Sequence, residues 1–428
     1  MKTIKLLLCI SLLTVLATGS SISATDSQGN IESSNLEARE AFSRGWEAYR
    51  LGTPQELAKA VTYLELAIGL DPDYARAHSA LAAAYWNIAL NGWARSLELL
   101  PSEVRELSRL SLANAKQQPS ALSHQVASER AAQFRLKPDK ALKEAGVAIE
   151  LDANDPAGHL AMATALLRIG KAAEAAESVH TAMRLDPDFP AFYLNRLGQA
   201  EFALGQYEKA ATTLEKAAKR NPADDWTFIY LAAAYGHLGH AQEAKQALDS
   251  ANALRAKAGW GTLTTQTISD HRSGGSRRYY FNWFSDYKPL LAGLIKAGLA
   301  QEKNWHKLII SGPSGYDVEG AKTINAETAK ALHARGVTFI DIWFNWSRKR
   351  ISGAHYLDVW SYEFNDATLP QIAGKNQEFV IYSSRDGDSR WGPRAVARAV
   401  SWGYEKVYFF RDGIDGWKVA GYPIETGK

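Results

Sequence analysis

A regular interval between glycines constrains this chain more than any other feature. Gly170, Gly205 and Gly239 recur about every 34 residues, each at the end of an apolar, alanine-rich stretch. Each is followed five residues later by an alanine (Ala175, Ala210, Ala244) and seven residues beyond that by another (Ala182, Ala217, Ala251). Pro187 and Pro222 close the first two of these units. Small side chains at fixed places let the two helices of a hairpin approach closely, and proline ends the second helix before the next begins. A unit this short cannot bury its own apolar face, so copies must stack side by side.

The spacing and these residue types resemble tetratricopeptide repeats. The pattern extends backwards to Gly45, Gly52 and Pro72 if Thr53-Pro54-Gln55 is a short insertion. It weakens over Leu136–Pro156 and breaks over Asn91–Ser120, where a longer loop is expected to intrude. The reading is five or six helix pairs over residues 36–258, forming an all-α solenoid. The resemblance implies a concave face that holds a protein or peptide partner. Tyr193, Asn195, Trp226 and Tyr230, on first helices of their hairpins, are the candidates to line it. The competing role for these side chains is packing between hairpins.

Beyond the repeats, residues 259–317 read as a linker. Gly, Ser and Thr dominate Gly259–Tyr280, with a basic pair at Arg277-Arg278. Asn282–Lys303 then has helical apolar spacing after Pro289 and suits a cap on the end of the array. From 318 to 428 the texture is α/β. Thr323-Ile324-Asn325-Ala326 opens with polar residues and continues as a short amphipathic helix. Val337–Ile342, Glu378–Tyr382 and Lys406–Phe410 are apolar strands, and Pro393–Trp402 is a helix between the last two. Strands alternating with helices imply a small parallel sheet with ligands at the carboxyl ends of its strands.

Within that segment, Phe379–Tyr422 resembles the active-site half of a rhodanese-like domain. Phe339-Ile340-Asp341-Ile342 is similar to the family's hydrophobic-Asp-Val-Arg strand end, with Trp343 where arginine is usual. Ile351-Ser352-Gly353-Ala354 is similar to its Ile-Pro-Gly-Ala turn, and Arg350 takes the place of the common histidine. The run from Arg411 to Trp417 resembles the closing glycine–tryptophan turn, and Ala420-Gly421-Tyr422-Pro423 the tail. The resemblance implies a cysteine after the strand that ends at Tyr382, carrying a persulfide in a cradle of backbone N–H groups. Ser383 occupies that position, and the chain's single cysteine is Cys9.

A hydroxyl cannot hold a persulfide, so ordinary sulfur transfer is not expected. Anion binding fits the loop better: Ser383, Ser384, Arg385, Gly387, Ser389 and Arg390 could converge on a small oxyanion. The Ser384-x5-Arg390 spacing resembles the Cys-x5-Arg loop of phosphatases, again without the thiol. Asp386 and Asp388 could instead neutralise the arginines and leave the loop solvated. An enzyme of another kind would require Ser383 to meet His355 and Asp341, but no Gly-x-Ser-x-Gly elbow surrounds it.

The first 24 residues, with Lys2, Lys5, a short apolar core and small residues before Ala24 or Gly19, have the build of a secretory signal. Export to the periplasm or beyond is therefore expected, with no membrane span after cleavage. Without those residues the charge falls from +3 to near neutrality, which gives no electrostatic reason to expect nucleic acid. The ten histidines are scattered without metal-ligand spacing, and no cofactor is expected. Together these features point to an exported interaction protein. The rivals are non-thiol chemistry in the loop, or a scaffold for a sulfurtransferase that brings its own cysteine.

Overall fold

The computed structural model describes residues 32–426 except 92, 98, 100, 118, 133–137, 270–286, 302–304, 313–314, 344–348, 358, 360–363 and 384–390. The leader-like segment and the Arg277-Arg278 pair lie outside the described residues.

Twelve helices pair into six hairpins: α1 (Leu36–Leu51) with α2 (Pro54–Leu70), α3 (Ala75–Asn91) with α4 (Pro101–Ala115), α5 (Ala121–Ala132) with α6 (Pro138–Leu151), α7 (Pro156–Arg168) with α8 (Ala172–Leu185), α9 (Ala191–Ala203) with α10 (Tyr207–Arg220), and α11 (Asp225–Leu238) with α12 (Ala241–Lys257). Asn91–Ser120, expected as an intruding loop, contains a short 3-10 turn at Ala94–Leu97 and then α4. The regular glycines have a backbone cause. Gly170, Gly205 and Gly239 have φ of 82°, 74° and 78°, a region that L side chains avoid. Past each of them the next N–H reaches back five residues: Lys171 donates to the Leu166 carbonyl, Gln206 to Glu201 and His240 to Tyr235. These bonds satisfy carbonyls that the helix end would leave orphaned. The repeat alanines Ala175, Ala182, Ala210, Ala217, Ala244 and Ala251 are all essentially inaccessible, which is what close hairpin packing requires.

Residues 259–269, whose composition suggested open linker, are seated. Trp260, Leu263 and Ile268 are buried, and α13 (Thr265–Ser269) follows directly. Helix α14 (Tyr287–Lys296) then packs on α11 and covers the last hairpin with Leu290 and Leu294. The same segment hooks onto the α/β domain. Asn365 donates its Nδ2 to the Gly259 carbonyl at 2.8 Å, and Asp366 Oδ1 accepts from the Thr262 N–H at 3.0 Å. Gly261 passes so close that a Cβ there would lie 2.7 Å from Asp366 Oδ1.

The α/β domain opens with an antiparallel hairpin, β1 (Ile309–Gly312) and β2 (Gly315–Val318). Its body is a five-stranded parallel sheet in the order β3-β8-β7-β4-β6: β3 (Ala321–Ile324), β4 (Thr338–Asp341), β6 (His355–Tyr356), β7 (Phe379–Tyr382) and β8 (Val407–Phe410). Strands β5 (Lys349–Ile351) and β9 (Ile424–Thr426) form a separate antiparallel pair. The helix expected from Thr323 begins later, at α15 (Ala326–Ala334), because Thr323 and Ile324 belong to β3. Asn325 caps the helix by accepting from the Thr328 N–H. Helix α16 (Trp391–Ser401) covers one face of the sheet, while α15 and α17 (Gly413–Val419) cover the other. Burial on both faces explains why β7 is apolar throughout.

Candidate functional site

The central strand β7 delivers Ser383 to the carboxyl edge of the sheet, where parallel sheets place their ligands. Ser383 is 8% exposed. Its carbonyl accepts from the Ile414 N–H at the start of α17, at 3.2 Å. Gly413, with φ of 54°, is pressed against that carbonyl: a Cβ there would lie 2.4 Å from the oxygen. The strand end is thus clamped by the next helix through backbone alone. Ser384, Arg385, Gly387, Ser389 and Arg390 lie outside the described residues.

Asp341, buried at the end of β4, accepts from the Trp343 N–H at 3.1 Å, and the Ile342 N–H donates to the Tyr382 carbonyl at 3.0 Å. Trp343 and Trp391 lie with ring centroids 6.5 Å apart and planes tilted by 36°, and the Arg394 guanidinium lies over Trp391. The Tyr382 hydroxyl, fully buried, accepts from the Ile351 N–H at 3.0 Å. Burial, reinforced by the Asp341 charge, pushes its phenol well above the ordinary range.

His355 sits exposed on the edge strand β6, and among the described residues no hydrogen bond joins it to Ser383. Arg350 is paired with Glu425 across β5 and β9 at 3.0 Å, and the Ser352 hydroxyl donates to the same carboxylate. The closing tail has a structural explanation: Trp417 is inaccessible, and its indole N–H donates to the Pro423 carbonyl at 2.8 Å. Among the described residues no group of three or more His, Cys, Asp or Glu could hold a metal, and no helix is long and apolar enough to cross a membrane.

In the solenoid, three of the four residues singled out from sequence are buried. Tyr193 is 3% exposed, stacks on Phe189 and donates its hydroxyl to Asp186. Tyr230 is 0% exposed and packs edge-on to Phe202. Trp226 is half-buried against the same core. Asn195, 3% exposed, is the centre of a polar network. It donates to Asp224 at 3.0 Å and Thr227 at 2.8 Å, and its Oδ1 accepts from Gln199 and Arg196.

That network continues through residues the sequence did not single out. Arg196 also donates to Thr164 Oγ1 at 3.2 Å. The Glu129 carboxyl, on α5, is pushed above its ordinary range by burial, with Arg196 opposing the shift. Tyr49, on α1, is raised by burial and then by the Glu129 charge. Arg50, at the end of α1, forms an ion pair with Asp186 beyond α8, at 3.1 Å. These couplings join residues of hairpins that are not neighbours in the array.

A Tetratricopeptide repeat family model matches residues 191–224, and a Rhodanese-like domain model matches residues 325–420. No curated protein matches the chain. Three solved structures among those similar to it share low identity. A thermophilic TPR protein of Thermus thermophilus is 18% identical over 46% of this chain and 98% of its own, with a TM-score of 0.34. Yeast Tom70 is 15% identical over 53% of this chain and 46% of its own, with a TM-score of 0.33. YrrB, described as a TPR protein with an unusual peptide-binding site, is 20% identical over 44% of this chain and 89% of its own, with a TM-score of 0.26.

Proposed function

We propose that this chain, which joins tetratricopeptide interaction repeats to a rhodanese-like domain, works as an exported scaffold rather than as a sulfurtransferase. The solenoid grips a protein or peptide partner, and the rhodanese-like domain serves as a second docking surface whose loop holds a small oxyanion. The observation that carries the reading is Ser383 at the end of the central strand. A free thiol ionises near pH ~8.5 and lower in an anion cradle, whereas a serine hydroxyl stays protonated without an adjacent base. His355 makes no bond to it among the described residues. The leader-like first 24 residues support export.

The test is thiosulfate:cyanide sulfur transfer by the wild type and by Ser383→Cys. The wild type is expected to be silent; measurable turnover there overturns the proposal. Activity gained by Ser383→Cys would support a cradle able to hold an anion. The oxyanion role is read separately: sulfate or phosphate is expected to raise the melting temperature of the wild type but not of Arg390→Ala. Equal stabilisation of both rules that role out.

A further inference from the structure

The concave face carries a carboxylate that nothing in the described chain satisfies. Glu129 is half-buried on α5, and among the described residues neither a hydrogen bond nor an ion pair reaches it. The cation whose charge acts on it is Arg196. Its Nε and Nη1 are committed to two neutral acceptors, Thr164 Oγ1 at 3.2 Å and Asn195 Oδ1 at 3.3 Å. A buried carboxylate without a partner is costly, and the cost disappears when a cation docks against it.

A second orphan lies one helical turn earlier. Gln125 is 3% exposed; its Nε2 donates to Asp155 at 2.6 Å, while its Oε1 has no partner. Residues four apart share a helix face, so Gln125 lies beneath Glu129 on one line of α5, buried where Glu129 is partly open. Their surroundings reinforce the polarity. Asp155, Asp186 and Asp224 join Glu129 in the network, against Arg50 and Arg196. Those four carboxylates outnumber the two guanidinium groups.

We infer that Glu129 is the seat for a lysine or arginine side chain of an extended peptide lying along the inner face. The inference rests on the scaffold reading and adds the chemistry of the partner. A partner segment that is acidic or purely apolar at this point would leave the carboxylate unsatisfied and bind less tightly.

The probe is a random dodecapeptide display library selected on the full chain. The expected result is enrichment of peptides that share a basic residue at one aligned position. For a selected peptide, Glu129→Gln should weaken binding about tenfold or more, the range for losing a charge-assisted hydrogen bond. Replacing the peptide's basic residue by norleucine should cost as much in the wild type and nothing further in Glu129→Gln. Glu129→Asp, which keeps the charge, should retain part of the affinity, and an unchanged melting temperature shows that the variants fold. Enriched peptides without a fixed basic residue, or with equal affinity for Glu129→Gln, overturn the assignment while leaving the scaffold reading intact. A library that yields no binder overturns both.

Discussion

The seam between α11 and α14 offers the sharpest test of how the array is closed. Gly236 and Gly293 meet there backbone to backbone. A Cβ added at Gly236 would lie 2.1 Å from the Gly293 carbonyl oxygen, and one at Gly293 would lie 2.4 Å from the Ala233 oxygen. Neither contact can be relieved by turning a side chain, so the helices must part by roughly 1 Å, a gap that forfeits a quarter to a half of each dispersion contact across it. Leu290 and Leu294, both 0% exposed, stand directly in that seam, and His237 Nε2 donates to the Pro289 carbonyl at 2.7 Å across it. Overpacking of this kind costs about 1–3 kcal/mol. Against it stands the helix preference for alanine over glycine, worth about 1 kcal/mol. Gly236→Ala is therefore expected to destabilise the terminal hairpin by up to about 2 kcal/mol net. Gly146→Ala, at a helical glycine with no atom within 4 Å, should stabilise by about 0.5–1 kcal/mol. Native-state hydrogen exchange is the assay, because stacked repeats couple mainly to their neighbours. Protection should fall in α11, α12 and α14 and persist in α1 to α6. Gly236→Ala with wild-type or higher protection in the last hairpin would refute the packing argument.

Two further outcomes follow from buried polar groups. Tyr382→Phe removes the acceptor for the Ile351 N–H and should destabilise the α/β domain by about 1–3 kcal/mol in urea unfolding; an unchanged midpoint counts against that role. Burial holds the His78 imidazole below its ordinary value of 6.5, with Nε2–H donating to the Pro72 carbonyl, so the folded state binds fewer protons than the unfolded state. Its contribution is full above pH 6.5 and is lost as the pH falls through the depressed value, and His78→Gln should flatten that acidic limb of the stability curve.

Much of the fold is legible because local chemistry dictates it. Gly170, Gly205 and Gly239 mark helix ends that only a left-handed residue can close, and the repeat alanines mark contacts that admit nothing larger. The runs ending at Asp341, Tyr382 and Phe410 are apolar because both sheet faces are covered. Strand β3 is not legible: Lys322 and Thr323 interrupt it, and as an edge strand it pairs on one side only. Gly259–Ser269 reads as loop because its burial comes from Leu263 and Ile268 joining the core of distant helices. The groove is least legible of all. Tyr193 and Tyr230 are conspicuous residues that pack inward, whereas Tyr49, Glu129 and Arg196 come together only once the superhelix winds.

The same distinction between local and long-range demands explains how the α/β domain keeps its architecture with serine at position 383. The fold takes a carbonyl from that residue, which accepts from Ile414, and a backbone flat enough for Gly413 to press against it. A cysteine and a serine supply both equally, so the sheet, the clamp by α17 and the Trp417–Pro423 closure do not depend on which of them stands there. The hook between Gly259–Thr262 and Asn365-Asp366 likewise uses no residue of the loop. A domain held to the end of the solenoid by backbone and amide contacts therefore keeps its place, and the surface it presents, whichever of the two residues stands at position 383.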